Sequence, residues 1–194
     1  MTLTIADVPV TYRKDYLDED RSAVMLRELK RKLVWDKRCS NEFSVPVFSH
    51  GRSRRERDGI SGHYPVHTYL TSLKEELSAI LRTSFVQLQV NMYRGMWDSL
   101  GWHSDMDLID QVAIVSLGSS REIRFRRNGC DGECGLVLEN GSLLTMGSGM
   151  QDDWEHCVPA STDQRGERVS IVFRSFNLNQ TLLLRGCEFL VKEE

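Results

Sequence analysis

Short apolar segments separated by turn residues fill the chain from Val86 onward, and they constrain the fold more than any other feature. The segments are rich in Val, Ile and Leu and alternate with clusters of Gly, Asp, Asn and Ser, a pattern typical of β-strands joined by tight turns. The pattern predicts strands at 86–93, 112–117, 121–127, 135–138, 142–146, 168–175 and 181–185, with turns at Asn128-Gly129 and Asn140-Gly141. Many short strands of this kind predict a jelly-roll, or double-stranded β-helix, which can present side chains from separate strands toward one mouth.

Two amphipathic helices are predicted ahead of these strands. The first covers residues 18–34, begins at Asp18 as N-cap and has apolar residues at helical spacing, namely Met25, Leu26, Leu29 and Leu33. The second is predicted to start with a capping-box-like motif at Thr71 and to place on one face Leu73, Leu77, Ile80 and Leu81. We expect both helices to pack against a sheet, which gives a mixed α/β fold. The segment between them, about 39–68, has no clean periodicity and predicts a long loop.

Two histidines and one aspartate form the motif with the most chemical meaning. His103 and Asp105 flank one serine, and His156 follows 51 positions after Asp105. Two imidazoles and one carboxylate, with no fourth protein ligand in view, are the set used by non-haem Fe(II) oxygenases, which leave coordination positions open for oxygen and a co-substrate. A lone histidine is more often structural, but the three residues together predict a metal site.

Two arginines at an even spacing extend this hypothesis. Residues separated by an even number lie on the same face of a strand, so one face of the 168–175 segment carries Arg168, Ser170, Val172 and Arg174. Burying two guanidinium groups beside a metal is costly unless they meet anions. A dicarboxylate such as 2-oxoglutarate would supply them, because guanidinium pairs with carboxylate through two parallel hydrogen bonds.

From about Val86 to Arg174 the chain resembles the AlkB-type Fe(II)/2-oxoglutarate dioxygenases, which oxidatively demethylate nucleic-acid bases. The resemblance depends on motifs in a fixed order: Asn-x-Tyr at 91–93, His-x-Asp-x-Asp at 103–107, Ser-Leu-Gly-Ser-Ser-Arg-Glu at 116–122, Asn-Gly-Ser-Leu-Leu-Thr-Met at 140–146, His156, and Arg-x5-Arg at 168–174. The phrases Ser-Leu-Gly-x-x-Arg and Gly-Ser-Leu-Leu-x-Met look most like the eukaryotic-type DNA/RNA repair branch.

The resemblance implies a role for each matching residue. Fe(II) would be ligated by His103, Asp105 and His156. Arg168 would bind the distal carboxylate of 2-oxoglutarate with help from Asn91 and Tyr93, and Arg174 would lie near its metal-binding end. Asp107 would recognise the flipped base within the catalytic site. Ser170 belongs to the co-substrate site, but Ser170 and Val172 stand where the family usually has Asn and Thr, so fewer hydrogen bonds to the co-substrate are expected there.

The implied reaction uses 2-oxoglutarate and O2 to remove the alkyl group from bases such as 1-methyladenine or 3-methylcytosine in DNA or RNA. It releases formaldehyde, succinate and CO2. A methylated base inside a duplex cannot reach the metal, so it must be flipped out or taken from a single strand. In the family the region around 39–68 forms a lid over the base, which makes Tyr64 and His67 candidates for base stacking beside the simpler interpretation of an ordinary loop.

Two other classes of function stay open. One is an Fe(II)/2-oxoglutarate hydroxylase of a small molecule, a free nucleotide or a protein side chain, which suits the net charge of -3. The other is a non-catalytic binding module, although the intact ligand set argues against it. The net charge also disfavours strong non-specific affinity for duplexes, so phosphate contacts would come from local basic runs at 52–57 and 121–127. The second run alternates with Ile123 and Phe125, as any half-solvated strand does.

Length and composition predict a single catalytic domain, since 194 residues with 40% hydrophobic content can bury a substantial core. Its helical and lid-forming part would be 1–85, and its jelly-roll core 86–194. Five cysteines without a disulfide pattern, and no apolar stretch suited to a signal peptide or membrane span, predict an intracellular protein with no membrane partner. We expect a monomer whose substrate is nucleic acid.

Overall fold

Two antiparallel β-sheets form the core of the chain in a computed structural model that describes residues 2–4, 8–33, 35–38, 42–48, 67–105, 109–162 and 166–176. The strands are β1 (Thr2–Thr4), β2 (Val10–Arg13), β3 (Asp36–Arg38), β4 (Glu42–Phe48), β5 (Phe85–Tyr93), β6 (Leu100–His103), β7 (Ile109–Gly118), β8 (Arg121–Arg127), β9 (Cys134–Leu138), β10 (Ser142–Met146), β11 (Trp154–Val158) and β12 (Arg168–Phe176). The helices are α1 (Glu19–Lys32), α2 (His67–Leu81) and the short α3 (Met150–Asp153).

The larger sheet has eight strands in the order β1-β2-β10-β7-β12-β5-β4-β3, and the smaller sheet has the order β6-β11-β8-β9. An apolar cluster with residues of both sheets fills the space between them, and it includes Ile114, Phe125 and Val172. A second cluster joins the outer face of the larger sheet to α1 and α2, through residues such as Leu29 and Leu73. The predicted jelly-roll with helices packed on one sheet is therefore the observed architecture.

Strand β12 shows how alternation divides these two cores. Val169, Ile171 and Phe173 are fully buried in the cluster under the helices. The even-numbered residues from Arg168 to Arg174 face the space between the sheets. Because β12 lies between β5 and β7 and pairs with both, its inward face is held at the centre of the larger sheet.

The predicted strands agree with β5, β7, β8, β9, β10 and β12, whereas the segment 181–185 lies outside the described residues. The loop predicted over 39–68 is wrong for 42–48, which forms β4 and pairs with β5. Five other strands were not predicted, since each has only three to five residues: β1, β2, β3, β6 and β11. Each is stabilised by hydrogen bonds to a partner strand that is not identifiable from its own local sequence.

Helix α1 begins as predicted, because the Asp18 side chain accepts a hydrogen bond from the backbone N–H of Arg21 at 2.7 Å. Helix α2 begins at His67 and not at Thr71, so the predicted capping box is wrong. Leu70 is buried one turn ahead of Leu73, which extends the apolar stripe toward the N-terminus. Ile80 was predicted to be buried but is 52% exposed. No described helix is both long and apolar enough to cross a membrane.

The two Asn-Gly turns offer a matched test of packing. Gly129 and Gly141 both have positive φ, at 71° and 73°. A Cβ at Gly129 would meet nothing within 4 Å, whereas a Cβ at Gly141 would collide with the Leu17 carbonyl oxygen. The Gly141 carbonyl also accepts hydrogen bonds from the backbone N–H of Tyr16 and Leu17, at 3.1 and 2.9 Å.

We expect Gly129→Ala to lower the free energy of unfolding by about 1 kcal/mol, the cost of a left-handed alanine. Gly141→Ala should lower it by about 3 kcal/mol, because the alanine is strained in the same way and its Cβ also displaces the β2–α1 connection at Leu17. Urea unfolding of both variants measures the difference. Equal losses would show that the Gly141–Leu17 contact does not matter.

Candidate functional site

His103 and His156 lie directly opposite each other on neighbouring strands of the smaller sheet. They are Cα partners in the antiparallel pair of β6 and β11. Their ring centroids are 4.3 Å apart with planes inclined by 52°. His156 is only 4% exposed, and Phe125 from β8 lies beside its ring at 6.5 Å between centroids. The structure thus brings together the two histidines that are 53 positions apart in the sequence.

Asp105 follows β6 directly and is held by Arg174 from the larger sheet. Arg174 donates to one carboxylate oxygen, Oδ1, from Nε at 2.9 Å and from Nη2 at 2.8 Å. The other oxygen, Oδ2, is buried and has no hydrogen-bond partner among the described residues. The backbone N–H of Asp105 donates to Oε1 of Gln151 at 2.7 Å. The carboxylate therefore has one oxygen fixed by an ion pair and one oxygen left to accept another partner.

The two histidine rings differ in the contacts of their Nδ1 atoms. His103 Nδ1 lies 2.8 Å from the Gly101 carbonyl oxygen. Because a carbonyl only accepts, Nδ1 must carry the proton, and Nε2 then keeps its lone pair in the neutral ring. His156 Nδ1 is buried without a partner in the described part of the chain. Burial, and then the neighbouring His103, lower the pKa of His156 to about 4, so its ring is neutral at physiological pH.

These donors fit a divalent transition metal in their chemistry, because neutral imidazole nitrogen and carboxylate oxygen are suitable ligands for iron. A ring nitrogen fixed by a backbone carbonyl is also the usual outer partner of a metal-bound histidine. Within the described ranges, however, no three His, Cys, Asp or Glu side chains are grouped as they would be around a bound metal ion. Metal ligation by His103, Asp105 and His156 is therefore a proposal.

Arg168 supplies an anion-binding group in the same pocket. Its side chain is 1% exposed, and its Nε donates to Oγ of Ser116 on β7 at 2.9 Å. Nη1 is buried with no hydrogen-bond partner in the described structure. The guanidinium lies over the ring of Tyr93, 5.0 Å from its centroid. Burial lowers the pKa of Arg168, because the charged guanidinium loses its hydration.

One pocket between the two sheets is lined by all the predicted metal and co-substrate residues. They are Asn91, Tyr93, His103, Asp105, His156, Arg168, Ser170 and Arg174. Apolar side chains such as Leu100, Ile114 and Val172 complete the wall. The predicted shared face of Arg168, Ser170, Val172 and Arg174 is observed. Asp107 and Tyr64 lie outside the described residues, as does the side chain of His67 at the start of α2.

Three polar residues of the site were missed in the sequence. Ser116 orients Arg168, Gln151 holds the backbone of Asp105, and Gln89 connects Arg174 to Asn91. Gln89 could have been found, since it lies two positions before Asn91 and therefore shares its strand face. Gln151 could not, because it reaches Asp105 from α3 across 46 positions of sequence.

The basic run of β8 does not form a free cationic face. Arg121 was considered a possible contact to nucleic acid, but it is 1% exposed and donates to the carbonyl oxygens of Gly95, Asp98 and Pro159. Arg124 and Arg126 do face outward, as predicted. Arg124 forms ion pairs with Glu122 and Glu133, and Arg126 pairs with Glu155 while covering the Trp102 ring at 4.4 Å. Their charges are already largely compensated.

Residues 12–174 match the family model described as the 2OG-Fe(II) oxygenase superfamily. The chain belongs to this family. The match covers all of the smaller sheet, most of the larger sheet and the two long helices.

Curated relatives confirm the predicted resemblance to AlkB-type dioxygenases. Alpha-ketoglutarate-dependent dioxygenase alkB homolog 3 from Homo sapiens is 31% identical over 122 residues, covering 56% of this chain and 43% of that protein. DNA oxidative demethylase ALKBH2 from Arabidopsis thaliana is 30% identical over 133 residues, covering 53% of this chain and 42% of that protein. The chain thus spans less than half the length of these two relatives.

Solved structures confirm the fold. The structure of OsALKBH1 superposes with a TM-score of 0.67 at 16% identity and covers 90% of this chain and 100% of that chain. An oxidoreductase of the 2OG-Fe(II) oxygenase family from Burkholderia pseudomallei gives a TM-score of 0.65 at 15% identity, covering 88% and 85%. At these identities the comparison supports the jelly-roll architecture alone.

Buried His156 makes the metal-free protein sensitive to acid. The unfolded chain takes up this proton near pH 6.5, whereas the folded protein takes it up only near 4, so stability is present at higher pH and is lost as pH falls between these values. We expect His156→Gln to remove part of the fall in unfolding free energy between about pH 7 and about pH 5. Urea unfolding in the presence of a chelator measures it, and an unchanged pH slope would contradict the assignment.

Arg121 should be structural, in contrast to Arg124 on the same strand. Arg121→Lys leaves several carbonyl oxygens unsatisfied and should lower the unfolding free energy by about 3 kcal/mol. Arg124→Lys, the matched control at a half-exposed ion pair, should change it by less than about 1 kcal/mol. Denaturant unfolding compares them, and similar losses would contradict the assigned role of Arg121.

Proposed function

We propose that this chain is an Fe(II)- and 2-oxoglutarate-dependent dioxygenase that oxidatively demethylates N-alkylated bases in DNA or RNA. The observation that carries the proposal is the buried Arg168, whose side chain lines the same pocket as the two histidines and Asp105 and whose Nη1 has no hydrogen-bond partner among the described residues. An anionic ligand in that pocket would offset the cost of burying this guanidinium. Family membership identifies 2-oxoglutarate as the ligand of suitable chemistry.

The metal would be held by one nitrogen from each of His103 and His156 and by Oδ2 of Asp105. Arg174 occupies Oδ1 with two hydrogen bonds, so the carboxylate would bind through a single oxygen. The Gly101 carbonyl would fix the ring of His103 through Nδ1. The low pKa of His156 favours the neutral ring that a metal requires, and no proton needs to be displaced from it at neutral pH.

The co-substrate would extend from the metal toward Arg168. Ser116 holds Nε of Arg168 and so turns the guanidinium, leaving Nη1 for the distal carboxylate. Asn91, Tyr93 and Ser170 line the same pocket and would supply further hydrogen bonds. Ile114 and Val172 would cover the aliphatic part of the molecule and exclude water from it.

Bound iron, with 2-oxoglutarate and O2, supplies the oxidising chemistry that hydroxylates an N-linked methyl group, which then leaves as formaldehyde while succinate and CO2 are released. The protein's contribution is to fix the ligands, the co-substrate and the methyl group relative to one another. An alkylated base would have to be flipped out or single-stranded to reach the pocket.

The relatives support the choice of substrate, since one of them is a DNA oxidative demethylase. Arg124 and Arg126 would have to exchange their glutamate partners for a phosphate, whereas the exposed Arg127 lies in the same run. Asp107 as the base-recognising residue stays a prediction. So do the single domain over 1–194, the monomeric state and the intracellular location.

The test is turnover of oligonucleotides carrying 1-methyladenine or 3-methylcytosine by the purified protein with Fe(II), 2-oxoglutarate and ascorbate. We expect loss of the methyl mark matched by formaldehyde and succinate, and none of these with His103→Ala. Arg168→Lys should raise the KM for 2-oxoglutarate by about 10-fold or more, because lysine cannot bind Ser116 and a carboxylate as a fork. Arg124→Lys serves as the control and should behave like wild type.

Two results would contradict parts of this proposal. Succinate without demethylation would keep the co-substrate and move the substrate to a small molecule, a free nucleotide or a protein side chain. No succinate from a folded protein loaded with Fe(II) would exclude the dioxygenase and favour a binding module.

A further inference from the structure

Gln89 lies on the inward face of β5, between the two ends of the proposed site. Its Oε1 accepts a hydrogen bond from Nη1 of Arg174 at 3.2 Å. Its Nε2 donates to Oδ1 of Asn91 at 2.9 Å. Arg174 in turn holds Asp105 through Oδ1. One amide side chain therefore connects the residue that holds the metal carboxylate to a residue of the co-substrate pocket.

The direction of these hydrogen bonds is fixed by chemistry. Guanidinium has donors only, so the atom of Gln89 that meets Arg174 must be the oxygen. The nitrogen of Gln89 then faces Asn91, and the atom of Asn91 that accepts from it must be Oδ1. Nδ2 of Asn91 is consequently the atom left to donate. The charge of Arg174 thus sets, through Gln89, the orientation of the Asn91 amide.

We propose that Gln89 is a positioning residue that turns Asn91 into a hydrogen-bond donor toward an anionic co-substrate and keeps Arg174 on a single oxygen of Asp105. This inference depends on the proposed function of the site. If Asn91 were rotated, it would present an oxygen to the carboxylate of 2-oxoglutarate, and the contact would be repulsive. Without Gln89, Arg174 is free to engage both oxygens of Asp105, the arrangement that guanidinium and carboxylate favour.

Two substitutions separate the acceptor and donor functions of Gln89. Gln89→Met keeps the length of the side chain but removes both hydrogen bonds. Gln89→Glu keeps the acceptor for Arg174 but has no donor for Asn91, so Asn91 must rotate and donate Nδ2 to the new carboxylate. Gln87→Met is the matched control, because Gln87 is likewise half-buried and lies directly opposite Arg174 on the same strand face, yet forms no hydrogen bond with it in the described structure.

The measurements are the Kd of Mn(II), from the EPR signal of the free ion, and the Kd of 2-oxoglutarate for Mn(II)-saturated protein, from calorimetry. Neither requires turnover. We expect Gln89→Met to weaken 2-oxoglutarate binding by about 10-fold or more and Mn(II) binding by about 5-fold. Gln89→Glu should lose a similar factor for 2-oxoglutarate while its Mn(II) affinity stays close to wild type. Gln87→Met should match wild type for both ligands.

Wild-type affinities in both Gln89 variants would overturn the inference, and so would equal losses of both ligands in both variants, which indicate general damage to the strand. If Gln89→Met does not fold, the separation between the two ligands in Gln89→Glu decides alone. Failure of the proposed function gives a different result, because wild-type protein itself would then bind neither Mn(II) nor 2-oxoglutarate.

Discussion

The buried charge of Arg168 is the constraint on which the rest of the pocket depends. A guanidinium with 1% exposure is costly to bury, and the structure compensates it only in part, through Ser116 and the face of Tyr93. The strand that carries it lies between β5 and β7, so the charge cannot move toward solvent without breaking two ladders of hydrogen bonds. An anion bound in the pocket would offset this cost, and binding of the proposed co-substrate would then stabilise the fold.

Tyr93 lies close to a second buried guanidinium, that of Arg121, at 5.5 Å from its ring centroid. Arg121 comes from the smaller sheet and binds the carbonyl oxygens of Gly95 and Asp98, in the connection between β5 and β6, as well as that of Pro159. The same connection leads to His103. Arg121 thereby fixes the backbone between a proposed co-substrate residue, Tyr93, and a proposed metal ligand, His103, and is not among the residues that line the pocket.

The two sheets contribute different chemistry to the pocket. The smaller sheet brings the imidazole rings of His103 and His156 into register on adjacent strands. The larger sheet brings the cations Arg168 and Arg174 on one face of β12. Asp105 is the point at which they meet, since it follows a strand of the smaller sheet and pairs with Arg174 of the larger one. Because the two sheets face each other, the two histidines proposed to bind the metal and the two arginines lie on opposite walls of the pocket.

The sequence alone was sufficient to predict most strands of the core, the shared face of Arg168 and Arg174, and the polar residues that line the pocket. These follow from alternation and from ordered motifs, which are local properties of the chain. It did not reveal β6 and β11, whose short segments become strands only through their partners. It also suggested a phosphate-facing role for Arg121.

Three features follow from tertiary contacts: Arg121 is buried, Arg124 and Arg126 are paired with glutamates, and Gln89 and Gln151 support the site. Each of these depends on which backbone carbonyl or carboxylate lies opposite a side chain. The pairing of strands that are distant in sequence determines which groups lie opposite each other, and no local sequence pattern encodes this pairing.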